Sequence, residues 1–207
     1  MNKLGDEQGA LKHLRRFGLQ NPVFRVDMMV ARAELLGELG RYDESLALYQ
    51  EVLELRPTDD GTAYAMAFMH ESSGNLGASI KLLKSFVRKR SDDPLALNAL
   101  GYTLAASTDR LREARRYIDK AIRLAPSNAA IVDSKGWLHF RAGEHEQALQ
   151  YLRQAYALDN DPEIAAHLGE VLWTMGDEIE AKKLWFNALA INPDSGSLIE
   201  TMERFGL

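Results

Sequence analysis

The sequence predicts an all-α solenoid of stacked antiparallel helix pairs, and three observations carry that prediction. Glycines recur at Gly40, Gly74, Gly143 and Gly176, and prolines at Pro57, Pro126 and Pro193, with a period of about 34 residues. Small residues keep step between them, first at Ala33, Ala67, Gly101, Gly136 and Gly169, then at Ser45, Ser79, Ala114, Ala148 and Ala181. Apolar residues follow helical spacing on both sides of each turn. Around Gly143, for example, Val132, Gly136, His139 and Phe140 precede it, and Leu149, Leu152, Ala155 and Tyr156 follow. Units of this length bury their apolar faces only against their neighbours, so the chain reads as one array over residues 1–207.

The elements follow in order. Residues 1–25 read as a partial unit in which Gly5 and Asp6 fit an internal turn and Ala10 to Gln20 forms a second helix that stops before Pro22. Its first helix is expected upstream of Met1. Full units span 26–59, 60–93, 94–128, 129–161 and 162–195, each a helix, a tight turn and a second helix. The turn glycine takes the left-handed conformation that ends a helix without a Cβ clash. Unit 94–128 has Ser107-Thr108-Asp109-Arg110 in its place, one residue longer, while 129–161 is one residue short and runs through Asp159-Asn160-Asp161 into Pro162. The recurring small residues let paired helices approach closely, with larger side chains opposite filling the space. Leu124, Leu158 and Ile191, near the ends of second helices, are expected to seal the gap to the next unit. Residues 195–207 read as a capping helix, with Ser195 or Ser197 as N-cap and Leu198, Ile199, Met202 and Phe205 on one side.

These residues resemble the tetratricopeptide repeat over essentially the whole chain, with Arg32, Lys135 and Ser91 as departures from the family pattern. The resemblance implies a right-handed superhelix with first helices lining a concave groove and second helices forming the outer wall. A narrower likeness lies in Asn98 to Ala105, Asp133 to Trp137 and Glu163 to Trp173. These stretches are similar to the C-terminal region of Gram-negative tetratricopeptide adaptor lipoproteins that partner a carboxyl-terminal processing protease. That likeness implies a place on the periplasmic side of the outer membrane; without it, a cytoplasmic one is expected.

Composition narrows the function classes. The chain has no cysteine, which excludes disulfides and thiolate metal sites. Its net charge of −5 is too modest to imply a nucleic-acid partner, and no apolar run approaches a membrane span. The opening residues Met1 to Asp6 carry no signal-peptide or lipidation motif. Charge is uneven: residues 76–128 hold 11 Lys/Arg against 5 Asp/Glu, and residues 129–207 hold 6 against 13. No nucleophile elbow, phosphate loop or His-Glu-x-x-His is present, so no catalytic residue, metal or cofactor is expected. His70 and His139 occupy equivalent packing positions, and His167 reads as a satisfied interior histidine.

Binding is the better-supported class. The helical register turns Tyr64, Phe68, Asn98, Tyr102, Asp133, Trp137, Phe140, Glu170 and Trp173 toward the groove, alongside Val30, Glu34, Gly37, Glu71, Ala105 and Ala166. Aromatic rings with interspersed carboxylates and amides suit peptide segments. Asn98 has no lysine partner at matching places, and Glu34, Asp133 and Glu170 would repel a carboxylate, so capture of a chaperone tail is not expected. On second helices, Lys81, Lys84 and Arg88 share one face and Arg112, Arg116 and Arg123 the next, a secondary basic ridge. Leu11, Leu14 and Phe17 at the incomplete first unit offer apolar area for a homodimer. The reading is a non-enzymatic scaffold for proteins or peptide segments, in its narrow form the protease adaptor. The alternatives are an assembly or secretion chaperone and the docking region of a larger enzyme.

Overall fold

A computed structural model describes residues 3–207. Twelve α-helices are present among them: α1 Lys3–Gln20, α2 Arg25–Glu38, α3 Tyr42–Leu55, α4 Asp60–Ser72, α5 Leu76–Lys89, α6 Pro94–Ser107, α7 Leu111–Leu124, α8 Ala129–Arg141, α9 His145–Leu158, α10 Pro162–Thr174, α11 Glu178–Ile191 and α12 Gly196–Arg204. A 3-10 turn, Pro22–Phe24, joins α1 to α2. The chain divides into two compact units, one ending at Ser85 and the other running from Phe86 to Leu207.

Local chemistry sets the helix ends. Gly40, Gly74, Gly143 and Gly176 all take positive φ, between 70° and 92°, and each closes a first helix. First helices begin on short polar caps: Asp59 accepts from the Thr62 amide at 3.0 Å, Asp93 from Leu95 at 2.9 Å, Asn128 from Ile131 at 3.2 Å and Asp161 from Glu163 at 2.8 Å. Each such cap contributes about 1 kcal/mol. The glycine-free turn after α6 is closed instead by Thr108, whose hydroxyl donates to the Leu104 carbonyl at 2.5 Å and accepts from the Arg110 amide at 3.0 Å.

Packing explains the recurring small residues. A Cβ on Gly101 would lie 2.5 Å from Ile118 Cγ1, and one on Gly136 would lie 2.6 Å from Leu152 Cγ. Both facing residues are wholly buried. In the unit ending at Ser85, Ala33, Tyr49 and Met69 form a buried cluster, and Ser45 donates to the Ala33 carbonyl at 2.6 Å where α2 and α3 cross. In Phe86–Leu207 the largest cluster joins α9, α10, α11 and α12 around Trp185, Leu152, Leu168, Leu172 and Leu198. The capping helix therefore covers the last apolar face, with Leu198 and Met202 buried.

Two expectations need correction. Helix α1 begins at Lys3, so Gly5 and Asp6 lie within it rather than in a turn. Leu124, Leu158 and Ile191 are 45%, 46% and 72% exposed, so they are not the buried seals expected. They are the last residues of α7, α9 and α11, where the helix ends and leaves each side chain partly open to water.

Candidate functional site

In Phe86–Leu207, first helices α6, α8 and α10 place one polar and aromatic cluster together. Tyr102 comes from α6, Asp133 and Trp137 from α8, and Glu163, His167 and Glu170 from α10. His167 is 8% exposed and Asp133 5%. The imidazole Nδ1 lies 2.9 and 3.0 Å from the two Asp133 carboxylate oxygens. Its Nε2 lies 3.3 Å from the Tyr102 hydroxyl, which is itself 3.5 Å from Glu163 Oε1. Trp137 stacks on the imidazole at 4.2 Å between centroids with a 22° tilt, and Phe140 leans on Trp137 at 5.1 Å.

The electrostatics favour a charged His167. Burial opposes the imidazolium, but Asp133 at hydrogen-bond distance, with Glu163 and Glu170 nearby, outweighs it and raises the pKa above the ordinary histidine value. In that form both ring nitrogens donate, Nδ1–H to Asp133 and Nε2–H to the Tyr102 oxygen, leaving the Tyr102 hydroxyl to donate to Glu163. Partial burial raises the Glu163 carboxyl above the usual range; His167 pulls it down, and Asp133 and Asp161 push it up again. The network holds the imidazole on two edges and one face. It holds Tyr102 and Trp137 against the imidazole.

Beside this network lies a cleft of about 640 Å³, walled by Tyr102, Trp137, Glu163, His167 and Glu170 on one side and by Ser197, Glu200, Thr201, Glu203 and Arg204 of α12 on the other. Arg204 donates to Glu170 at 2.7 Å. A neighbouring recess of about 240 Å³ is lined by Asn98, Tyr102, Asp133, Asp161 and Glu163. The Asn98 side-chain oxygen is buried there without a hydrogen-bond partner.

The structure thus brings Asn98, Tyr102, Asp133, Trp137 and Glu170 to one surface and treats the other predicted residues differently. Asp133 is buried against His167 and Glu170 is paired with Arg204, so neither is the bare repelling carboxylate that the sequence reading assumed. Phe140 and Trp173 do not line the cleft; both pack on the core cluster around Trp185. Trp173 stacks on Trp185 at 5.7 Å, meets Phe205 at 5.2 Å and lies under Lys182 at 4.9 Å. In the other unit, Phe68 is 63% exposed beside a recess that Glu34, Tyr42 and Tyr49 also line, and Tyr64 is half-buried.

Of the proposed basic ridge, Lys81, Arg88, Arg112, Arg116 and Arg123 are exposed and Lys84 is half-buried. Near the arginines of α7, Arg115 pairs with Glu144 at 3.1 Å, Lys120 with Asp92 at 2.8 Å and Asp119 with the buried Lys135 at 2.5 Å. His139 stacks on Tyr151 at 5.3 Å and contacts Glu144, a packing role. Among the described residues no group of three His, Asp or Glu could hold a metal ion, and no helix is long and apolar enough to cross a membrane.

Sequence reasoning missed Glu163, Arg204 and the α12 wall. One signal was available for the network: Asp133 and His167 are 34 residues apart, one repeat period, which puts them on neighbouring first helices.

Antiparallel helix pairs of this length, closed by left-handed glycines and stacked on small residues, define a helical repeat protein. Models of the tetratricopeptide repeat match residues 26–59, 70–129, 103–163 and 134–196, and the chain belongs to that family. It is 37% identical over 168 residues to a TPR repeat-containing protein of Pseudomonas aeruginosa, covering 81% of this chain and 28% of that one. The chain therefore spans a little over a quarter of that relative's length. A thermophilic TPR protein of Thermus thermophilus superposes with a TM-score of 0.72 at 25% identity, covering 88% of this chain and 100% of that one. A chain of the APC/C hetero-tetramer Cut9-Hcn1 does so with a TM-score of 0.67 at 19% identity, over 97% of this chain and 40% of that one.

Proposed function

We propose that this chain is a non-catalytic protein-interaction scaffold whose partner docks in the cleft between α10 and α12. One observation carries the reading: half-buried aromatic rings, Tyr102 and Trp137, are locked by a buried hydrogen-bonded network at the wall of a cleft large enough for several side chains. Rigid aromatic anchors bind with little loss of conformational freedom. Glu163, Glu170, Glu200 and Glu203 outnumber the cleft's two cations, Arg204 and a His167 whose charge the buried Asp133 balances, so a segment bearing lysine or arginine is the complementary occupant.

The narrower reading is that the array belongs to a bacterial adaptor lipoprotein on the periplasmic side of the outer membrane, working with a carboxyl-terminal processing protease and its substrates. The resemblance of residues 98–105, 133–137 and 163–173 supports it. A homodimer through the first unit is a separate proposal: of Leu11, Leu14 and Phe17, Leu11 is buried and Leu14 half-buried, while Phe17 is exposed beside Val23 and Phe24 at the α1–α2 turn.

Calorimetric titration of a purified carboxyl-terminal processing protease into the parent chain, Trp137→Ala and Arg116→Ala tests both levels. Binding by the parent and Arg116→Ala, weakened about 30-fold in Trp137→Ala, is expected for an anchor worth about 2 kcal/mol. No binding by the parent removes the protease reading. Equal binding by Trp137→Ala removes the cleft.

A further inference from the structure

A second site lies in the other unit, where α1, α2 and α3 enclose a pocket of about 400 Å³. Three guanidinium groups line it, Arg15 from α1 and Arg25 and Arg32 from α2, against one carboxylate, Glu51 from α3. Arg41, Arg56, Arg110, Arg115, Arg153 and Arg204 each pair with an acidic side chain within 3.1 Å. Arg16, Arg88, Arg112, Arg116 and Arg123 also lack an ion pair among the described residues, but they are exposed and lie outside this pocket. Among the described residues, Arg15, Arg25 and Arg32 have no ion pair, and the Arg32 Nε is buried with no hydrogen-bond partner. A buried donor left unmatched in a native fold calls for a partner from outside the chain. Burial, together with the nearby Arg15, lowers the Arg32 pKa, with Glu51 offsetting part of it, so the pocket as it stands disfavours its own charge.

We propose that this pocket binds an oxyanion, a carboxylate or phosphate group, carried on an apolar stem. Guanidinium forks match such groups with two parallel N–H donors. With three cations and one anion around it, the pocket holds an excess of two positive charges. Leu14, Leu19, Met28, Met29 and Leu48 form the rest of its wall and fit the stem. The site is independent of the α10–α12 cleft and stands or falls separately from it.

Arginine Nε–Hε resonances of the full chain report on it directly. The chain is titrated with hexanoate, with inorganic phosphate and with chloride at matched ionic strength. The Arg32 resonance is expected to move saturably with hexanoate or phosphate and not with chloride, and whichever saturates at lower concentration identifies the source of the oxyanion. Arg15→Gln and Arg25→Gln, both at exposed positions, should weaken binding at least tenfold without changing the melting temperature, and Glu51→Gln should tighten it a few-fold. Shifts that grow linearly and alike with all three salts would overturn the site. So would Arg15→Gln and Arg25→Gln variants that retain parental affinity.

Discussion

Replacing Gly169 by alanine tests the packing logic of the repeat at its tightest point. A Cβ there would lie 2.0 Å from Trp185 Nε1, 2.3 Å from Cε2 and 2.7 Å from Cδ1. The indole must therefore retreat by more than about 1 Å to restore van der Waals contact. It has nowhere to go. Trp185 is wholly buried, lies 5.7 Å from Trp173 and 5.3 Å from Phe205, and donates to the Ala166 carbonyl at 3.3 Å. Overpacking costs about 1–3 kcal/mol, and pulling the indole N–H from its acceptor adds about 1–3 kcal/mol. Alanine's better helix propensity returns up to about 1 kcal/mol. A net loss of about 2–4 kcal/mol corresponds to a fall in melting temperature of roughly 8–15 °C for a unit of this size. Circular dichroism melts of Gly169→Ala measure it. Gly9→Ala, which meets nothing within 4 Å, serves as the control and should melt at or above the parent. A Gly169→Ala melt within about 2 °C of the parent would refute the argument that the small residue exists to admit the ring.

Two further outcomes follow from the same structure. His167 has a raised pKa in the fold, so its contribution to stability is full below the unfolded value of about 6.5 and is lost as pH rises through the folded value. The melting-temperature gap between parent and His167→Gln should therefore shrink from pH 6 to pH 9, and a gap that widens would contradict the charged Asp133–His167 pair. Phe17→Ser combined with Phe24→Ser should shift any concentration-dependent dimer to monomer by light scattering, and an unchanged mass would place the contact elsewhere.

The turns were legible because their causes are local. A left-handed glycine acts within a handful of residues and leaves its signature at Gly40, Gly74, Gly143 and Gly176, whereas the equally local caps at Asp59, Asp93, Asn128 and Asp161 went unread. The close approaches at Gly101, Gly136 and Gly169 were legible for a related reason, since the period copies the same helix crossing along the chain. What the residues could not reveal depends on how each helix is rotated. Phe140 and Trp173 share the helical spacing of Trp137, yet they turn into the core cluster while Trp137 stacks on His167. Gly5 permits helix as readily as turn, and α1 continues through it. The cleft wall from α12 arises only because a capping helix lies against α10, and no pattern within residues 195–207 announces that Arg204 will reach Glu170.

The central claim is that partners dock in the cleft between α10 and α12. A photo-cross-linking amino acid at position 197, on the α12 wall, tests it against one at position 116, on the exposed face of α7. Illumination of each variant with the purified partner, read by mass spectrometry, should give adducts from position 197 and none from 116. Adducts from 116 alone would contradict the account and move the binding surface to the arginines of α7.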